Sequence, residues 1–356
     1  MELTLFNKSN NSENSAQPEG HPPIPENMHI KTVTLTPFDL ILLLLSVILF
    51  TASGSASVPA GIVALIISSP LYAVFSFRIG NHFSFFVPLV ATVICYIITG
   101  SIAKALFPLL ATAMAYSILR AVNMRDTYSK TSAVTGCTVA IVIFLAAQLF
   151  IATEISQAFT VRQLFDSAKT YFETAKSEFI SAYTSLLTEM PDQAKALEPD
   201  MLSEYLDYVF RSFTATLPAT ITIYAMMTGY ISASLIIPLS AICKADNMLD
   251  KNSYGIKLSY ISVIVYFISS LAMLFTSGAT SIGFRNISAI LSPGLMISGV
   301  KQIGALCESK HISRPIANLA KAGAVILALI FGDLGTTVLI VLGMYYTTKS
   351  ISPSNH

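Results

Sequence analysis

Ten apolar stretches between residues 38 and 347 constrain this chain more than any other feature. One reads FDLILLLLSVILF and another SAVTGCTVAIVIFLAAQLFIA. A bilayer core about 30 Å thick is crossed by roughly 20 mostly apolar residues in a helix. A soluble fold of 356 residues has no interior able to hide ten such segments. The chain therefore reads as all-α, a polytopic integral membrane protein. Composition agrees: charged residues are 12% of the chain, against about 25% in soluble domains.

The expected spans are 38–54, 57–77, 84–100, 104–120, 132–153, 213–242, 258–277, 284–306, 315–331 and 334–347. Ten helices are expected, with eight or nine as alternatives. The last two stretches are short, and only GDLG at 332–335 divides them. They form either a tight helical hairpin or one longer helix with Asp333 near mid-membrane.

Orientation follows from the lysines and arginines of short loops, which favour the cytoplasm. Arg78, the group Arg120, Arg125 and Lys130, the group Lys244, Lys251 and Lys257, the pair Lys310 and Arg314, and Lys349 all fall on one side of a ten-span arrangement. Both termini are then cytoplasmic.

The segment between the fifth and sixth spans breaks the membrane pattern, with acidic residues outnumbering basic ones. Leu164, Phe165, Phe172, Phe179, Tyr183 and Leu186 recur at three- and four-residue steps, one face of a helix. Met201, Leu202, Tyr205, Leu206 and Val209 form a second stripe, and Pro191 and Pro199 suit first-turn positions of shorter helices that follow. The expected organisation is a disordered cytoplasmic tail at 1–36, membrane helices 1–5 at 37–153, an amphipathic extracytoplasmic helical segment at 154–212, membrane helices 6–10 at 213–348, and a cytoplasmic tail at 349–356.

No catalytic constellation is present. P-loop, HExxH and GxSxG patterns are missing, and the five histidines match no metal-ligand spacing. Cys95, Cys137, Cys243 and Cys307 lie in or beside apolar runs without a CxxC pair. The reading is therefore not an enzyme, with no cofactor and no metal. A formal net charge of +1 gives no reason to expect nucleic acid. Ionisable groups inside spans are the default functional candidates, because a charge in lipid is retained mainly for use. Three stand out: Asp333 between two glycines, Lys301 within the eighth span, and Asp39 at the start of the first. Pro59, Pro70, Pro88, Pro108, Pro218, Pro238 and Pro293 mark places where helices kink or expose backbone. Gly294 and Ser298, four residues apart, would let helices approach closely.

Several segments together resemble a known group. They are SVPAGIVALIISSPLYAVF, ALFPLLATAMAYSILR, TLPATITIYAMMTGYISASLI, SPGLMISGVKQIGALCESKHISRP and the terminal LIVLGMYYTTKS. Over residues 38–350 the chain resembles the YybS-like family of predicted bacterial membrane proteins, whose biochemical role is unassigned. The family usually carries an acidic and a basic residue after the last glycine. Here Gly343 is followed by Met-Tyr-Tyr-Thr-Thr-Lys, with no acid. The first five spans also resemble, in general layout, the membrane substrate-binding subunits of vitamin transporters.

Many spans, proline-marked helices and few buried charges suit a transporter or transporter subunit for a small solute. The alternative is a non-transporting membrane scaffold or assembly partner. The expected partners are the lipid bilayer, a small-molecule solute and a membrane protein partner. The expected location is the bacterial cytoplasmic (inner) membrane.

Overall fold

The computed structural model describes residues 2–6, 30–34, 36–79, 86–124, 129–155, 160–189, 198–245, 248 and 254–349. The expected C-terminal tail past Lys349 and most of the N-terminal tail lie outside these residues. The described parts of the N-terminal segment pair as an antiparallel ribbon, β1 (Glu2–Phe6) with β2 (Ile30–Thr34), in a register from Glu2 opposite Thr34 to Phe6 opposite Ile30. The sequence reading contained no such element.

The rest is helical: α1 (Pro37–Ser55), α2 (Val58–Ile79), α3 (Phe86–Thr99), α4 (Ile102–Ala105), α5 (Phe107–Met124), α6 (Ser129–Phe150), α7 (Val161–Glu189), α8 (Pro199–Ile242), α9 (Tyr260–Phe275), α10 (Gly278–Ser309), α11 (Arg314–Ile330) and α12 (Asp333–Lys349). A π-helical turn, Ile151–Ile155, extends α6. Among the described residues, six helical stretches are long and apolar enough to cross a bilayer: α1, α2, Ile102–Asn123, Lys130–Ile155, α8 and α10. The all-α polytopic reading holds. The expected spans at 84–100 and 258–277 are present as apolar helices of 14 and 16 residues, shorter than a full crossing. The expected spans at 315–331 and 334–347 are helices of 17 residues each.

Lipid explains surfaces that water would not tolerate. Ile97 and Ile98 of α3, Ile143 and Phe150 of α6, Phe267 of α9 and Leu329 of α11 are all exposed. Large apolar side chains exposed in this number along the helices of each unit fit contact with lipid.

Two compact units share the chain. Residues 1–123 and 231–251 form the first. Its core is the α1–α2 pair, where Phe50 and Phe75 are fully buried and the Phe50 and Tyr72 rings stand 5.0 Å apart. A Cβ on Gly54 would overlap the Lys104 carbonyl oxygen and sit 2.7 Å from the Cys95 sulfur, so α1 meets the α4 turn at backbone distance. Thr36 and Asp39 form a reciprocal cap ahead of Pro37, which fixes where α1 begins.

Residues 124–230 and 252–356 form the second unit. Here α10 and α12 cross at Gly299 and Gly343. A Cβ on Gly299 would overlap the Leu339 carbonyl oxygen, and one on Gly343 the Leu295 carbonyl oxygen. Val263, Leu295 and Ile340 fill the space beside that crossing. The close approach therefore falls one position past Ser298, whereas Gly294 meets only the Leu258 side chain.

The amphipathic segment is a helical hairpin. Helix α7 matches the first stripe, and it packs on the start of α8 through stacked Phe172 and Phe210 rings 4.2 Å apart and a Lys176–Asp207 ion pair of 2.6 Å. The separate short helices expected before the sixth span are absent among the described residues. Instead α8 runs unbroken for 44 residues, about 66 Å at 1.5 Å per residue. Pro199 opens it, as a first-turn proline can, and both the second stripe and the sixth span ride on it.

Candidate functional site

The first unit contains a cavity of about 390 Å³ between α2, α3 and α5. Its wall includes Tyr72, Ser76, Pro88, Leu109, Ala113 and Tyr116. The lining is almost wholly apolar, and its size is within the range of small-molecule sites. Ser76 is 4% exposed, and its hydroxyl has no hydrogen-bond partner among the described residues. Most serines on these helices return their hydroxyl to a carbonyl one turn back, as Ser69 does to Leu65 at 2.9 Å. Thr112, also in the cavity wall, does the same to Pro108 at 2.8 Å. A buried hydroxyl left unpaired costs about 1–3 kcal/mol; Thr51, Thr92 and Ser232 carry unpaired buried hydroxyls as well, and Ser76 is the one that lies in this cavity's wall.

A second cavity of about 310 Å³ lies between α10, α11 and α12 in the other unit. Ile303, Leu327, Phe331, Leu334 and Leu342 line it, with no polar side chain to orient a solute.

Asp39 is 5% exposed and fully engaged. One carboxylate oxygen accepts from Arg78 Nε at 2.8 Å, and the other accepts from the Thr36 hydroxyl at 2.6 Å. Arg78 Nη1 also donates to the Cys243 carbonyl at 2.7 Å, and its guanidinium lies over the Phe38 ring at 5.5 Å. These contacts tie the start of α1, the end of α2 and the end of α8 together. Asp39 is placed as an anchor of the fold.

Lys301 projects from α10, and its Nζ donates to the Ile256 carbonyl. Lys130 and Lys257 lie within electrostatic reach of it. The Lys130 ammonium sits 4.5 Å from the centre of the Tyr230 ring. Thr131 pins the segment before α9, since its hydroxyl donates to the Lys257 carbonyl at 2.9 Å and accepts from the Lys257 amide at 3.0 Å. At the inner end of that segment Tyr254 is buried, and burial pushes its hydroxyl above the usual tyrosine range, with Cys137 adding to the shift.

Asp333 opens α12 at the turn after α11. Gly332 has φ +55°, a conformation that suits glycine and ends α11. Gly335 then packs directly against Ala328, so 314–349 is a hairpin and not one helix. The Asp333 side chain is exposed, and its carbonyl accepts from the Thr336 and Thr337 hydroxyls at 3.0 and 2.6 Å. Asp39 belongs to the first unit and Lys301 and Asp333 to the second, and each has its own local partners.

A family model described as a predicted membrane protein, DUF2232, matches residues 44–345. The chain belongs to that family. No curated protein and no solved structure matches it. The match takes in both cavities, Lys301 and Asp333, and it begins after Asp39.

Two features of this DUF2232 protein escaped the sequence reading. Ser76 looks like one of many small residues in SSPLYAVFSF, and nothing local separates a paired hydroxyl from an unpaired one. Asn286 reaches from α10 into α8, where its Nδ2 donates to the Ala215 carbonyl at 2.9 Å and its Oδ1 accepts from the Ala219 amide at 3.1 Å. A regular helix would join those two backbone groups to each other. The Asn286 amide spans these two backbone groups beside Pro218 and ties α10 to α8. An asparagine inside the apolar run SIGFRNISAILS was the available signal.

Proposed function

We propose that this DUF2232 protein is a transporter, or a transporter subunit, for a small solute. The observation that carries the reading is the cavity between α2, α3 and α5, with the unpaired Ser76 hydroxyl in a mostly apolar wall. Such a pocket suits a neutral, mainly apolar solute offering one hydrogen-bonding atom. The protein's part is binding and passage, without covalent chemistry. The resemblance to YybS-like proteins belongs to the same reading and supplies no site.

Uptake into proteoliposomes, over a panel of neutral small molecules, tests it. At least one solute enters faster with the wild type than with empty vesicles. Ala113→Phe projects a ring into the cavity wall and cuts that uptake about tenfold or more, since overpacking costs about 1–3 kcal/mol. Uptake equal to empty vesicles for every solute, from folded protein, favours the scaffold reading instead.

The same proposal puts the protein in a bacterial cytoplasmic membrane with both termini inside, on the distribution of basic loops. Lys169 and Lys310 are both exposed. On a cysteine-free background, a cysteine at 169 reacts with an impermeant reagent added to intact cells, and one at 310 reacts only after lysis. The reverse pattern refutes the orientation.

A further inference from the structure

We infer that Lys130, Lys257 and Lys301 form a binding site for a phosphate-bearing anion, the headgroup of an anionic lipid or a free phosphate. Lys301 Nζ donates to the carbonyl of Ile256, the neighbour of Lys257, and Thr131, the neighbour of Lys130, is hydrogen-bonded to the Lys257 backbone, so the three stems converge, with Lys130 and Lys257 both within electrostatic reach of Lys301. None of the ion pairs among the described residues includes them: those pairs are Arg78–Asp39, Arg162–Asp166 and Lys176 with Glu173 and Asp207. Their described partners are neutral. Lys301 donates to the Ile256 carbonyl, Lys130 rests over the Tyr230 ring, and the Lys257 side chain is exposed.

Three clustered ammonium groups repel one another unless an anion joins them, and the repulsion grows where low-dielectric protein or lipid excludes water. Lys130 and Lys301 are both half-buried. The arrangement is also built. The paired hydrogen bonds of Thr131 with the Lys257 backbone hold the start of α6 against the segment before α9, which fixes two of the three stems. Lys130 and Thr131 sit in the first turn of α6, where the helix dipole adds positive potential. On the orientation proposed above, all three lysines lie at the cytoplasmic headgroup level. Basic pockets between helices on that side hold phosphate headgroups.

The test uses the purified full chain, wild type and Lys130→Gln/Lys257→Gln/Lys301→Gln, in vesicles of phosphatidylcholine with or without phosphatidylglycerol. Lipid retained after extraction is read by native mass spectrometry, and the thermal midpoint is read with and without inorganic phosphate. Preferential retention of phosphatidylglycerol by the wild type is expected, falling by more than an order of magnitude in the triple variant. Lys257→Gln alone lowers retention about fivefold, the size of one basic group at an anionic surface. The corresponding arginine variants keep it. A midpoint raised by inorganic phosphate in the wild type and not in the triple variant, without lipid preference, assigns the site to a soluble phosphate. Should the triple variant fail to fold, the exposed Lys257→Gln decides. Retention and phosphate response that are both independent of the lysines overturn the site.

Discussion

Replacing Gly343 with leucine is expected to collapse the second unit's packing. The Gly343 Cα faces backbone: a Cβ there would overlap the Leu295 carbonyl oxygen and stand 3.0 Å from the Gly299 amide nitrogen. Neither obstacle can rotate away, because both are main chain inside α10. Gly299 presents the mirror constraint to the Leu339 carbonyl, so the two helices can separate only as whole bodies. In lipid, association of helices depends on this kind of close contact, since apolar side chains gain little by leaving lipid for protein. Separation would also open the Val263, Leu295 and Ile340 cluster. A loss of about 3 kcal/mol or more follows, at the upper end for overpacked sites. Gly283→Leu, on the partner helix α10 with nothing within 4 Å of a Cβ, leaves stability unchanged or slightly raised. The thermal midpoint of the two purified variants decides. Equal midpoints would remove the α10–α12 crossing from the account.

Asp39→Asn is the second large effect. It leaves the Arg78 guanidinium, with a side chain only 23% exposed, without its carboxylate. Breaking a buried pair from one side costs about 3–5 kcal/mol, because the remaining charge is stranded. The Thr36 cap weakens as well, at about 1 kcal/mol. The paired change Asp39→Asn/Arg78→Gln is milder than Asp39→Asn alone, since it removes the stranded charge together with its partner. Arg78→Lys recovers little, because an ammonium cannot meet the carboxylate and the Cys243 carbonyl with one planar fork. Thermal midpoints in detergent give the ordering. A fully stable Asp39→Asn would contradict the anchoring role and leave Asp39 a candidate intramembrane polar site.

The polytopic all-α character was legible because lipid acts on composition, and composition is local; the lengths were less so, since six stretches among the described residues are long enough to cross where ten spans were expected. The amphipathic stripe over 161–189 was legible for the same reason: a period of three to four residues is written along the chain. The continuity of α8 was not, since prolines at helix starts and prolines within helices look alike in sequence. The sequence reading offered Gly294 and Ser298 as a place of close approach, and the backbone contact falls next to them, at Gly299 against α12. Spacing identifies small residues, and only the partner helix decides which of them faces backbone. Asp39 read as a candidate intramembrane polar site because its partner Arg78 is distant in sequence. Asn286 and Ser76 were hidden by the same limit: whether a polar group is paired is a property of three dimensions.

A solute site between α2, α3 and α5, as proposed, binds its ligand whether or not the protein transports it, so binding alone tests it. The measurement is the thermal midpoint of the wild type and of Ala113→Phe across a panel of neutral small molecules with one hydrogen-bonding group. A ligand at 100 times its dissociation constant stabilises the folded state by about 2.7 kcal/mol. At least one compound is predicted to raise the wild-type midpoint and to leave that of a folded Ala113→Phe unmoved. No response to any compound, or the same response in both proteins, would contradict the account.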